Sequence, residues 1–201
     1  MTFIKFCGMT RLEDVEIAVG LGVDAIGVVL WPRSPRHVTV EHAAKLVSIL
    51  PASVTPVGVF VRPTRDQITR AVEQIGIRAA QLHGVSDVSL DGLPCKLWMA
   101  ISPPGNGTTL SVAADMVLLD AHDPVKHGGT GQTIDWHSAA QIAVTRPIIL
   151  AGGLTATNVA EAIRTVRPFG VDVASGIETR AGVKSEAAMR AFAAAVRGTD
   201  P

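Results

Sequence analysis

A chain of 201 residues, 47% of them hydrophobic and with no internal linker, can bury one large core, so a single domain spanning 1–201 is expected. Eighteen basic residues balance eighteen acidic ones and form no basic run. That excludes the electrostatic footprint of a nucleic-acid binder or a polybasic membrane binder and favours a small neutral or anionic ligand. The opening MTFIKFCG has no charged segment ahead of a long apolar one, and no apolar stretch approaches the ~20 residues that span a bilayer, so a cytoplasmic protein is expected. Cys7 and Cys95 form no CxxC pair and read as reduced thiols.

Taken in chain order, short apolar runs alternate with amphipathic segments. The strand candidates are FIKFC (3–7), DAIGVVL (24–30), PVGVFV (56–61), RAAQLH (78–83), KLWMAI (96–101), DMVLLD (115–120), PIILAG (147–152) and GVDVAS (170–175). Helical patterns run over 11–21, 39–50 with Thr39 as N-cap, 64–75, 155–166 and 185–196, and shorter ones over 87–90, 108–114 and 135–143. Eight strand–helix units predict a parallel sheet closed into a compact (β/α)8 barrel, a TIM barrel in the α/β class. The rival, a doubly wound sheet, requires GxGxxG after an early strand. CGMTRLED supplies one glycine there, and GGTG at 128–131 lies in a long loop after the sixth strand.

In such a barrel the functional groups stand at the C-terminal strand ends and in the loops that follow. Alternation along the first strand puts Phe3, Lys5 and Cys7 on one face and Ile4 and Phe6 on the other. The apolar face belongs against the helices, so Lys5 and Cys7 are expected to point inward, with Gln81 and His83 on the fourth strand. A buried lysine needs a partner, and Asp172 on the eighth strand is the candidate.

These residues together resemble a known family. KFCGMT, SPR after the second strand, GVFV, QLHG, LLD, GGTGQTIDW, LAGGLT and RPFGVDVASGIE, in that order from residue 3 to about 195, look like the phosphoribosylanthranilate isomerases of tryptophan biosynthesis, which are (β/α)8 enzymes. Met9, Val28–Leu30 and Ala174 depart from the pattern at positions without chemistry. The resemblance implies an Amadori rearrangement of an aminoaldose 5-phosphate, with no cofactor and no metal, and with a small phosphosugar as the binding partner. By it, Cys7 is the general base and Asp135, in TIDW, the general acid. Cys7 then needs a positive neighbour to favour the thiolate, and Asp135 needs burial to hold a proton near neutrality.

The same resemblance gives Arg36 the anthranilate carboxylate, lets His83 orient the substrate, and has Asp172 meet a ribose hydroxyl or pair with Lys5. Gly152, Gly153, Ser175 and Gly176 take the phosphate on main-chain N–H groups. Asn158 is left out of that site, and Gly8 is read as making room beside the thiol. Simpler roles compete: Asp135 as an N-cap, His83 as a core histidine, Arg33 as a solvated loop residue, Cys95 as a small buried hydrophobe. His122, Asp123 and His127 form no metal-ligand spacing. The alternative functions are a histidine-pathway aminoaldose isomerase, which uses paired aspartates, and a barrel that binds phosphosugars without turnover.

Overall fold

The computed structural model describes residues 1–84, 92–102, 114–120 and 135–199. The short helices expected at 87–90 and over most of 108–114, and the GGTG segment, lie outside these residues. Eight parallel strands close into a barrel in sequence order: β1 (Phe3–Cys7), β2 (Ala25–Val29), β3 (Thr55–Val61), β4 (Ala79–His83), β5 (Lys96–Ile101), β6 (Met116–Leu119), β7 (Ile148–Leu150) and β8 (Gly170–Val173). β8 returns to pair with β1, matching Phe3 with Gly170 and Lys5 with Asp172. The expected (β/α)8 architecture is therefore present.

Among the described residues the helices are α1 (Leu12–Gly20), α2 (Val40–Ser48), α3 (Arg65–Ile75), α4 (Trp136–Ala143), α5 (Val159–Val166) and α6 (Glu186–Arg197), and none is long and apolar enough to cross a membrane. Their starts follow from side-chain caps. Thr39 accepts from the His42 N–H, Ser185 from the Ala188 N–H, and Thr64 forms a reciprocal capping box with Gln67. α5 begins four residues later than its periodicity predicts. Residues 155–158 instead form a turn in which the Asn158 side chain accepts from the Thr155 N–H and donates to the Gly153 carbonyl.

The sequence pattern did not reveal the hairpin of β9 (Glu178–Arg180) and β10 (Val183–Lys184), which follows a 3-10 turn at Ser175–Ile177. It is held to the connection after β1. The Thr10 hydroxyl donates to the Gly182 carbonyl, the Lys184 N–H donates to Asp14, and Arg11 donates to the Lys184 carbonyl.

The period-two alternation of each strand divides the core into two shells. Ile4, Phe6, Ile26, Val28, Leu82 and Val171 face outward into the helices, where Phe6 meets Phe192 edge to face at 6.1 Å. Inside the barrel, Ala25, Val57, Ala79, Trp98, Leu118 and Ile149 fill the lower interior with Phe3 packed on them. Cys7, Val29 and Val59 lie above, with Trp31 and Ala174 against them. The interior is thus a filled core that also encloses the polar side chains of Lys5, Gln81 and Asp172.

Candidate active site

β1 presents its alternate residues inward as its parity predicts. Lys5 is fully buried, and its Nζ donates to Asp172 Oδ1 at 2.8 Å, across the register that pairs the two residues. Burial alone pulls the Lys5 ammonium down, but the Asp172 carboxylate and Cys7 together outweigh it and the net shift is upward. One turn of the pleat further on, Cys7 is 7% exposed. The room for its sulfur comes from Gly27 on the neighbouring strand. A Cβ at Gly27 would fall 2.8 Å from Cys7 Sγ and 3.3 Å from Lys5 Nζ, so no larger residue fits there without displacing the thiol.

Gly8 makes room for Arg36. Its φ of +72° is left-handed, and a Cβ there would lie 2.5 Å from Arg36 Cδ. The glycine after the cysteine therefore admits the stem of Arg36, and Gly27 faces the thiol from the neighbouring strand.

The thiol has the positive neighbours that a base needs, but burial outweighs them. Burial pushes Cys7 up, the charge of Lys5 pulls it down, the Asp172 carboxylate raises it, the charge of Lys184 lowers it, and the net shift is upward. Lys184 was not foreseen. It is 3% exposed, and its Nζ donates to the Cys7 carbonyl at 2.6 Å, the Ala174 carbonyl at 3.1 Å and Glu178 Oε1 at 2.8 Å. Desolvation lowers its affinity for the proton, and Glu178 offsets only part of this. Glu178, also unforeseen, pairs with Lys184 and Arg36. Arg36 Nε reaches Oε1 at 2.9 Å and Nη2 reaches Oε2 at 2.7 Å. Burial raises the Glu178 carboxyl, but Arg36 and Lys184 outweigh it and hold it below its ordinary value. Neither residue carried a local sign of its burial, because Lys184 meets Cys7 and Glu178 meets Arg36 from more than a hundred residues away in the chain.

His83 lies at the end of β4, half-buried, with Nε2 2.9 Å from the Gln81 amide nitrogen. Ala79 belongs to the inner cluster, so Gln81 and His83 face inward by the same alternation. The loops after β7 and β8 touch. A Cβ at Gly176 would collide with the Leu154 carbonyl oxygen, so glycine is required where the 3-10 turn at Ser175 meets the 152–154 segment. Gly152 and Gly153 both have left-handed φ, +82° and +64°. Asn158 braces this loop from within.

Asp135 departs from its expected environment. Its side chain is 62% exposed and caps α4, accepting from the His137 and Ser138 N–H groups and from the Ser138 hydroxyl. These donors, the Ser138 hydroxyl first, hold its carboxyl below the ordinary aspartate value, where burial was expected to raise it. The cap role is therefore real. The described hydrogen bonds do not join Asp135 to the Cys7 network, and residues 121–134, which precede it, lie outside the described part. Among the described residues no group of His, Cys, Asp and Glu is placed to hold a metal.

The chain is similar to known proteins over nearly its whole length. Residues 4–195 match the family model of N-(5'-phosphoribosyl)anthranilate isomerase. The isomerase of that name from Leptothrix cholodnii is 43% identical, over 99% of this chain and 92% of its own length. The one from Chromohalobacter salexigens is 42% identical, over 98% of this chain and 95% of its own. Among solved structures, the phosphoribosyl anthranilate isomerase of Thermus thermophilus superposes with a TM-score of 0.85 at 32% identity, covering 99% of this chain and 100% of that one. A further isomerase structure, in complex with reduced 1-(o-carboxyphenylamino)-1-deoxyribulose 5-phosphate, gives a TM-score of 0.79 at 28% identity, covering 98% and 100%. The chain belongs to the N-(5'-phosphoribosyl)anthranilate isomerase family.

Proposed function

We propose that the protein converts N-(5'-phosphoribosyl)anthranilate into 1-(2-carboxyphenylamino)-1-deoxyribulose 5-phosphate in tryptophan biosynthesis, with Cys7 as general base and Asp135 as general acid. The acid protonates the ribofuranose ring oxygen and the C1'–O bond breaks, leaving a protonated imine. The base then takes the C2' proton, and the resulting enolamine tautomerises to the ketone, so the step is a net isomerisation. The observation that carries the reading is the thiol at the end of β1, buried at the barrel mouth between the ammonium groups of Lys5 and Lys184. A general base must accept a proton and then release it, and a thiol raised by burial but opposed by two cations meets both demands.

The other groups divide by the parts of the substrate. Arg36, with Nη1 outside its bond to Glu178, receives the anthranilate carboxylate. His83 orients the substrate, and Asp172, already holding Lys5, stands beneath the ribose. The phosphate takes the main-chain donors of Gly152, Gly153, Ser175 and Gly176, whose two loops are in contact. Asp135 is ionised while it caps α4 in water. In this reading it takes its proton only when bound substrate desolvates it.

The test is the loss of anthranilate-ribosyl fluorescence when purified protein is mixed with the substrate. Wild-type protein should abolish the signal at a rate proportional to enzyme. A signal that stays constant, with substrate shown intact by chromatography, refutes the assignment.

A further inference from the structure

We propose that Glu178 is a positioning residue for this isomerisation, fixing the Arg36 guanidinium in the pose that receives the substrate carboxylate; the inference rests on the function proposed above. Arg36 lies on the loop after β2 and Glu178 on the hairpin after β8, so the pair joins two loops on either side of the β1 end. The bond is bidentate and shielded, with side-chain exposures of 13% for Arg36 and 4% for Glu178. Glu178 is itself immobilised. Its Oε1 also accepts from Lys184 Nζ at 2.8 Å and from the Gly182 N–H at 3.2 Å.

Lys184 completes the frame by donating to the carbonyls of Cys7 and Ala174 at the ends of β1 and β8. From the other side Gly8, left-handed and without a side chain, lets the Arg36 stem lie directly over the residue after the thiol. The guanidinium is thus held on its Nε–Nη2 edge by a group that is tied to the backbone of Cys7. Among the described residues the Nη1 edge takes no hydrogen bond, and it is the edge left for a second carboxylate. Without Glu178, binding would have to order the arginine each time.

Kinetics on N-(5'-phosphoribosyl)anthranilate test this with a double-mutant cycle. Glu178→Gln, nearly isosteric, should raise KM about tenfold, the cost of ordering one long side chain on binding, and leave kcat within about threefold. Arg36→Met should raise KM at least as much, and adding Glu178→Gln to it should change KM by less than about twofold, because Glu178 then has no arginine to place. A purely structural role would depress kcat and stability without this dependence on Arg36. Glu178→Gln strands the buried Lys184 cation; if that variant does not fold, Glu178→Gln/Lys184→Met is compared with Lys184→Met, and the same tenfold ratio is expected. Unchanged KM in Glu178→Gln, or an undiminished effect in the Arg36→Met background, overturns the positioning role while an active wild type keeps the proposed function. An inactive wild type overturns both.

Discussion

Replacing Lys5 by Met removes one half of a fully enclosed ion pair. Lys5 has no exposed surface, Asp172 is 7% exposed, and Nζ and Oδ1 are 2.8 Å apart. Removing one partner of a buried pair costs about 3–5 kcal/mol, because the other charge stays behind undischarged. For a chain of this size each kcal/mol moves Tm by about 2–4 °C, so Lys5→Met should melt about 6–20 °C lower. Lys5→Met/Asp172→Leu, which removes both charges, should recover most of that loss, since an apolar pair of similar volume is tolerated where an unpaired carboxylate is not. Activity should not recover in the double variant, because Lys5 Nζ and Cys7 Sγ crowd the same glycine and the base has lost its nearest cation. The pH for the measurement follows from the sign of the shift. The folded pKa of Lys5 lies above the ordinary value, so its contribution is complete below about pH 10.4 and disappears only as the pH rises through the folded value. Thermal melts by circular dichroism at neutral pH therefore capture the whole effect, with kcat from the fluorescence assay. A loss under about 1 kcal/mol in the single variant would place the pair with exposed salt bridges, and a double variant no more stable than the single one would refute the stranded-charge argument.

Cys7→Ser and Asp135→Asn should each lower kcat by at least about 10²-fold with KM within a few-fold, and Asp135→Asn should keep the wild-type Tm because asparagine caps a helix as well as aspartate does. Near-normal turnover in either variant removes that residue from the chemistry. Gly153→Asp, which sets a carboxylate in the loop between β7 and α5, should raise KM about tenfold or more, whereas Gly20→Asp, whose new side chain meets open space, should leave KM unchanged. Lys184→Met should move the acid limb of the kcat/KM profile to higher pH, because Lys184 is one of the two cations that pull Cys7 downward against burial. A limb that stays in place or moves to lower pH contradicts that role.

What was legible in the sequence was whatever a short segment determines for itself. FIKFC alternates, so its inward and outward faces follow from period two alone, and the pairing of Lys5 with Asp172 needed only the added premise of a closed barrel. Thr39, Thr64 and Ser185 mark helix starts because a side chain three residues from a free N–H acts locally. Thr155 looks like another such start, yet Asn158 bonds back to its N–H and makes a turn, a competition between two local patterns that periodicity does not resolve. The hairpin at 178–184 is too short and polar to show alternation, so nothing local marks Glu178 or Lys184 as buried. Their burial arises only when the hairpin docks on Thr10, Arg11 and Asp14. Gly27 reads as an ordinary residue of a buried strand, and only the β1–β2 register sets it opposite Cys7. Asp135 shows the converse: its local role as a cap was legible and is present, while its expected burial required surroundings that its own segment does not provide.

The network around Cys7 has a charge balance that bears on the chemistry. Lys5, Lys184 and Arg36 contribute three positive charges, and Asp172 and Glu178 two negative ones. With Cys7 as a neutral thiol the hydrogen-bonded cluster carries one uncompensated positive charge in a setting shielded from water; with Cys7 as a thiolate it carries none. Burial disfavours the ionised sulfur, and the surplus cation disfavours the neutral one, so the two states are closer in free energy than burial alone would leave them. That narrowing suits a group that must gain a proton from carbon and lose it again within one turnover, since a base committed to either state would stall at the other. It also explains why three cations are gathered at the end of one strand when a single lysine would satisfy Asp172. Lys5 neutralises the carboxylate in the barrel interior, Arg36 is held for the substrate, and Lys184, bonded to the carbonyl of Cys7 itself, joins the strand end to the pair that holds the arginine.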